Sequence, residues 1–326
     1  MMTFERFIIA SIGAATAILL LLAVVLPVNR TIYVPKAVFL SPDAVPEITS
    51  LEKSRKKSLT SSALSRVFAR INYDFDAVQA GHVSVPRLFV KSLPVDMRRI
   101  RAAKERKKLF LLSVLPLILR VNDEIWAERK KLIKLKKLVN NRVKLSAEDR
   151  LWLAVMENRY KVIRGDLGAL ELGMDIIPPS LALAQAAEES GWGTSRFARE
   201  GNALFGQRTW RSTTGLVPEK REEGKKFKVR AFDHLLDGVK AYARNLNAHP
   251  YYREFRERRA AMRKSVDQTI DGMKLVPTLT RYSERGEDYI ATIQELIRFN
   301  RFTVFDETKL LDRLEDITKK PDGPDA

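Results

Sequence analysis

The 326-residue sequence predicts a mainly α fold with a small β-hairpin. Apolar residues return at helical spacing through most of 97–306, one Thr- and Val-containing stretch with a Glu-Glu-Gly-Lys turn interrupts them, and no internal repeat is evident. Apolar residues make up 45% and charged residues 30%, a balance that supports a buried core rather than disorder.

The first element is IIASIGAATAILLLLAVVL at 8–26, uncharged and closed by Pro27. As a helix it extends roughly 28 Å, the depth of a hydrocarbon core. A cleavable signal peptide is the other reading, with Arg6 as its basic start. The run is long for one, however, and VVLPVNR offers no small-x-small cleavage site. Residues 1–28 are therefore expected to hold an uncleaved anchor. Arg30 and Lys36 behind it, against Arg6 in front, favour a cytoplasmic C-terminal side unless a long translocated domain overrides the charge rule. Residues 29–85 mix Pro, Ser and charge, which reads as a stalk with one short helix at SALSRVFARI.

From Val85 the pattern turns helical. MRRIRAAKERKKLFLLSVLPLILRVNDEIWAERKKLIKLKKLV predicts two helices, parted or kinked at Pro116. Its LFLLSVLPLIL segment is too short for a second membrane span and reads as buried. Ser146 caps the next helix, with acids in its first turn. Pro178 and Pro179 open another, LALAQAAEES, which is apolar nearly all round and so must be buried on most sides. The hairpin falls at 206–232. Helices follow at DHLLDGVKAYARNLN, YYREFRERRAAMRK and GEDYIATIQELIRFN, and 307–326 is a charged tail.

The 58 Lys+Arg against 40 Asp+Glu give net +18, which implies polyanionic surroundings: nucleic acid, anionic lipid or an acidic cell-wall polymer. KERKK and KKLIKLKK interleave with Leu and Ile, as a solvated basic face over a core stripe does. No aromatic stacking platform accompanies them, so no nucleic-acid partner is expected. Cysteine is absent and the three histidines, His82, His234 and His249, are scattered. Thiol nucleophiles, Cys- or His-built metal sites and a Ser-His-Asp triad are thereby disfavoured, and no metal or cofactor is expected. Acid–base chemistry must rest on carboxylates.

Residues 186–207, AAEESGWGTSRFAREGNALFGQ, place two glutamates in the last turn of the buried helix. Apolar surroundings and the negative end of the helix dipole both make a proton harder to lose there, as a general acid requires. Gly191 can stop the helix in the left-handed conformation, and Trp192 offers a flat face of the kind on which sugars stack. Gln185, Glu189 and Trp192 share one face by spacing, which favours Glu189 over Glu188. Residue patterns alone also allow two surface glutamates and a core tryptophan.

The stretch resembles the catalytic segment of the bacterial β-N-acetylglucosaminidase (autolysin-type glucosaminidase) family, in its Bax-like branch. Ser-Gly-Trp-Gly and Asn-Ala-Leu-Phe-Gly carry the resemblance, supported by VRAFDHLLDGVKAYARNLNAHPYYREFR and LTRYSERGEDYIATIQELIRFN. It implies a lysozyme-like α+β glucosaminidase domain over 86–306, with a helical extension at its start; the transmembrane helix read from the apolar run at 8–26 precedes it. It further implies that Glu189 is the general acid cleaving the β-1,4 bond between GlcNAc and MurNAc of peptidoglycan glycan strands. Phe205 and Gly206 would shape the cleft floor, and Tyr282 and Tyr289 would border the groove. The second carboxylate is sought on the hairpin among Glu219, Glu222 and Glu223, one at most; the substrate's own acetamido group is the other choice. Location follows substrate: an inner-membrane protein held through 8–26, its domain in the periplasm. A lytic transglycosylase and a non-catalytic envelope-binding scaffold are the alternatives.

Overall fold

The computed structural model describes residues 59–209, 215–218, 227–266 and 269–311. The expected anchor at 8–26 lies outside them. Among the described residues no helix is long and apolar enough to cross a membrane.

The chain enters through α1 (Ser61–Arg70) and the short α2 (Phe75–Gln79). Thr60 caps α1, and Asp96 accepts from both Ser61 N and Ser61 Oγ at 2.7 Å. Leu64 and Phe68, one turn apart, face inward with Tyr73, Val78 and Val85. The last part of the expected stalk, residues 59–85, is therefore folded. Its composition is polar on average, but its few apolar residues fall at i and i+4, enough to dock a helix.

The long helix α3 (Ala103–Asn140) runs unbroken through Pro116, where two helices were expected. Pro116 is itself buried, and Leu109 to Leu119 are enclosed on all sides. Packing of this kind outweighs the one missing hydrogen bond that proline imposes. Beyond it only Val121, Ile125, Leu132 and Leu135 remain buried among the apolar residues. The lysines there lie on the outward face, as the pattern indicates, whereas Arg129 is buried and donates to Glu171 O and Met174 O. Ser146 caps α4 (Ala147–Tyr160) by accepting from Asp149 N.

After α5 (Leu167–Gly173) the chain reaches α6 (Pro179–Ser190), the central helix. All of Pro179 to Ala187 is buried, and α6 packs on α3 and on three later elements described below. Its entry is fixed by side chains standing in for backbone. Asn122 on α3 exchanges two hydrogen bonds with Ile177, at 2.8 and 3.0 Å. Asp306 accepts from Ser180 N and Ser180 Oγ and from Gly272 N, satisfying donors at a helix start that proline cannot cap. Gly191 ends α6 in the left-handed conformation, φ 56°.

After α7 (Arg196–Gly201), the stretch expected as a two-stranded hairpin is a small three-stranded sheet. Strands β1 (Arg208–Thr209), β2 (Gly215–Leu216) and β3 (Lys228–Arg230) stand in the order β1-β3-β2, antiparallel throughout. Strands of two and three residues fall below the reach of an alternation signal. The expected turn and Glu219, Glu222 and Glu223 lie outside the described residues. Helices α8 (Leu235–Ala248), α9 (Arg253–Lys264), α10 (Gly272–Leu275) and α11 (Glu287–Phe299) close the fold, followed by a 3-10 segment, Phe302–Glu307. Those last two helices and this segment are the later elements that α6 packs against. The first residues of the expected tail also join the fold: Leu310 is buried and pairs with Val85.

Candidate active site

Glu189 comes to the surface where α6 ends, at the wall of a cavity of about 1060 Å³. Phe205 and Gly206 form part of the same wall, as do Tyr252 and Tyr282. Asn202 explains the Asn-x-Leu-Phe-Gly pattern. In the left-handed conformation at the end of α7, it donates through Nδ2 to Phe232 O and Asp233 O at 3.0 Å, tying the turn to the segment after β3. Leu204 then plunges into the core, and Phe205 stacks flat on Tyr242, 3.8 Å between centroids and 6° between planes.

The Glu189 carboxyl has its pKa pushed up to about 7, first because burial penalises its charge and further because Glu188 repels it. A hydrogen bond from Tyr289 and the charges of Arg285 and Arg208 act in the opposite direction and do not outweigh burial. A large share of the group therefore keeps its proton at neutral pH, where an ordinary glutamate has lost it. A buried chain of donors orients the group: Tyr242 Oη donates to Gln185 Oε1 at 2.7 Å, Gln185 Nε2 to Tyr289 Oη at 2.9 Å, and Tyr289 onward to Glu189. Gln185 lies one turn before Glu189 on α6, the face that spacing singled out, and is completely buried.

Glu188 takes a different role. Arg285 binds its Oε1 at 2.6 Å and also donates to Thr292. Its carboxylate is therefore engaged outside the cavity wall, while its charge still acts on Glu189.

Two expected substrate contacts are placed elsewhere. Trp192 does not line the cavity; it packs against Phe110 at 5.8 Å and Phe302 at 6.4 Å, with Lys107 Nζ over its ring at 4.6 Å. Helical spacing fails for it because the helix has already ended: Gly191 and Trp192 both have positive φ, which turns the indole to the other side. Tyr289 is 1% exposed and lies behind the surface, stacked on Tyr282 at 5.6 Å. Its part is to hold Glu189, whereas Tyr282 faces the cavity and donates to Phe205 O at 3.3 Å.

The face of α8 that borders the cavity was not anticipated. Ala241, Arg244, Asn245 and Ala248 recur at i, i+3, i+4 and i+7, a stripe of small, amide and cationic residues. Such a stripe suits neither core nor bulk surface, and that mixture was the available signal. Apart from Glu189, the one carboxylate on the wall among the described residues is Glu284, paired with Arg208 at 2.6 Å. No group of three or more His, Asp or Glu suited to a metal occurs among the described residues.

A partly buried glutamate with a raised pKa thus stands on the wall of a wide, tyrosine-lined cavity, the setting in which a carboxyl can act as a general acid. Comparison with known proteins gives the family. Residues 170–300 match the glucosaminidase family, described as mannosyl-glycoprotein endo-beta-N-acetylglucosaminidase. The chain is 36% identical over 204 residues, 61% of its own length and 70% of the relative's, to Protein bax of Escherichia coli (strain K12). It belongs to the Bax-like glucosaminidase family. No solved structure matches it.

Proposed function

We propose that this protein is a peptidoglycan hydrolase that cleaves the β-1,4 bond between GlcNAc and MurNAc, with Glu189 as general acid. The observation that carries the reading is the Glu189 carboxyl on the cavity wall, its pKa raised to about 7 by burial and its orientation held through Tyr289 and Gln185. Protonated Glu189 gives its proton to the glycosidic oxygen as the bond from C1 breaks. The resulting carboxylate then takes a proton from the water that completes hydrolysis. The second group is either the substrate's own acetamido oxygen or one of Glu219, Glu222 and Glu223; Glu284, the other carboxylate on the wall among the described residues, is held by Arg208.

The same observation gives a second reading, lytic transglycosylase chemistry, in which the sugar's own hydroxyl closes the ring. A reducing GlcNAc end identifies the hydrolase and a 1,6-anhydro-MurNAc end the transglycosylase. A peptidoglycan substrate supports a periplasmic location for the domain, with residues 8–26 proposed as the anchor that keeps it at the inner membrane. Peptidoglycan zymography tests the reading: wild type is expected to clear and Glu189→Gln to leave the gel opaque. Equal clearing by both removes Glu189 from the mechanism.

A further inference from the structure

The cavity carries six Lys and Arg side chains against two carboxylates; Arg230 lies over the Phe232 ring at 4.9 Å, and the other five fall into two groups. Beside Glu189 they are neutralised: Arg285 pairs with Glu188 at 2.6 Å, and Arg208 with Glu284 at 2.6 Å. This arrangement serves the acid, because bare cations so close would favour its charged form and strip its proton. Lys161, Arg244 and Arg281 have no carboxylate partner among the described residues, although all three line the cavity. They come from separate elements, the end of α4, the inner face of α8 and the turn before Tyr282.

Rings hold this part of the wall together. Arg281 lies over the Tyr251 ring at 5.2 Å, and Tyr251 meets His249 edge-on at 4.6 Å. His249 Nδ1 accepts from Tyr251 N at 3.2 Å, and burial together with Lys161 and Arg256 keeps its pKa down, so it adds no charge of its own. A concave surface of one sign focuses its field and raises the local concentration of counter-charge. A neutral sugar strand has no use for such a field.

We infer that Lys161, Arg244 and Arg281 form a carboxylate-binding subsite, selecting sugar strands that bear acidic substituents over neutral ones. The inference rests on the glycan-cleaving reading of the same cavity. Two kinds of substituent carry the chemistry: the lactyl acid exposed on peptide-free strands, and the free carboxylates of attached peptides.

Binding, measured separately from turnover, tests it. The full chain carrying Glu189→Gln is titrated by fluorescence anisotropy with four labelled probes: neutral N-acetylglucosamine oligomers, peptide-free strands, peptide-bearing strands, and peptide-bearing strands with their carboxyls amidated. At least one acidic probe is expected to bind about tenfold tighter than the neutral and amidated ones, with the advantage shrinking as salt rises. Tighter binding of peptide-free strands identifies the lactyl acid, and of peptide-bearing strands alone the peptide. Adding Arg244→Gln and Arg281→Gln should collapse the ratio, and Lys at both positions should restore part of it. Equal affinity for all four probes, or a ratio that survives both Gln substitutions, overturns the subsite. Loss of zymogram activity has no bearing on these ratios, so the two readings fail separately.

Discussion

Gly206 stands so close to Glu189 that a Cβ on it would lie 2.9 Å from Glu189 Oε2. The glycine also has φ +58°, a conformation that side chains resist. One position thus serves both the turn that ends Asn-Ala-Leu-Phe-Gly and the space in which the acid works.

Gly206→Ala is accordingly expected to lower kcat at least tenfold by displacing the carboxyl, and to destabilise the fold by about 1–2 kcal/mol. Steady-state kinetics on purified glycan strands and a urea titration check the two effects. Full activity in the variant would mean that the Glu189 carboxyl does not work from this position.

The pH profile should show an alkaline limb near pH 7, because Glu189 must be protonated to act and its pKa is about 7. Tyr289→Phe removes a hydrogen bond that favours the carboxylate, so it should move the limb upward. Glu188→Gln removes a repulsion and frees Arg285, so it should move the limb downward. Opposite displacements in kcat/KM profiles are the signature; displacement in one common direction contradicts the assignment of the limb to Glu189.

The same group sets a stability term. The folded pKa of Glu189 is raised above the ordinary value of 4.5, so its contribution is complete below about pH 4.5 and lost as pH climbs through 7. Glu189→Gln should therefore be more stable than wild type at pH 8, by up to about 3 kcal/mol, and nearly equal to it at pH 4. Thermal melts at the two pH values decide.

Trp192→Ala should behave as a core truncation, costing about 2–4 kcal/mol through lost contact with Phe110 and Phe302 while leaving KM within about twofold. A large rise in KM with little change in melting temperature would instead place the indole on the sugar.

Asp306 fastens the opposite end of α6, and its pKa is pushed up to about 6 mainly by burial. Asp306→Ala leaves Ser180 N and Gly272 N without their acceptor and should cost about 2 kcal/mol. Faster amide exchange in the first turn of α6, relative to α3, reports where the loosening occurs.

Much of this was legible beforehand because helical spacing is a strong signal. Pro178-Pro179, the Leu/Ala run and Gly191 mark both ends of α6 and its burial, and Glu189 follows from the face shared with Gln185. Pro116 misled because intrinsic propensity is weak beside nine buried apolar neighbours between Leu109 and Leu119. Trp192 misled because spacing rules stop at the left-handed residue that ends a helix. Tyr242 and Arg244 were missed since their partners, Gln185 on α6 and the cavity walls, are distant in sequence. Pairings of that kind come from topology, which local pattern does not carry.

Mass spectrometry of fragments released from purified peptidoglycan by wild type and by Glu189→Gln is the most direct test of Glu189 as the acid of a glucosaminidase. Wild type should release strands ending in reducing GlcNAc, and the variant, folded as judged by its melt, should release at least a thousandfold less. Reducing GlcNAc ends produced at equal rates by both proteins would contradict it.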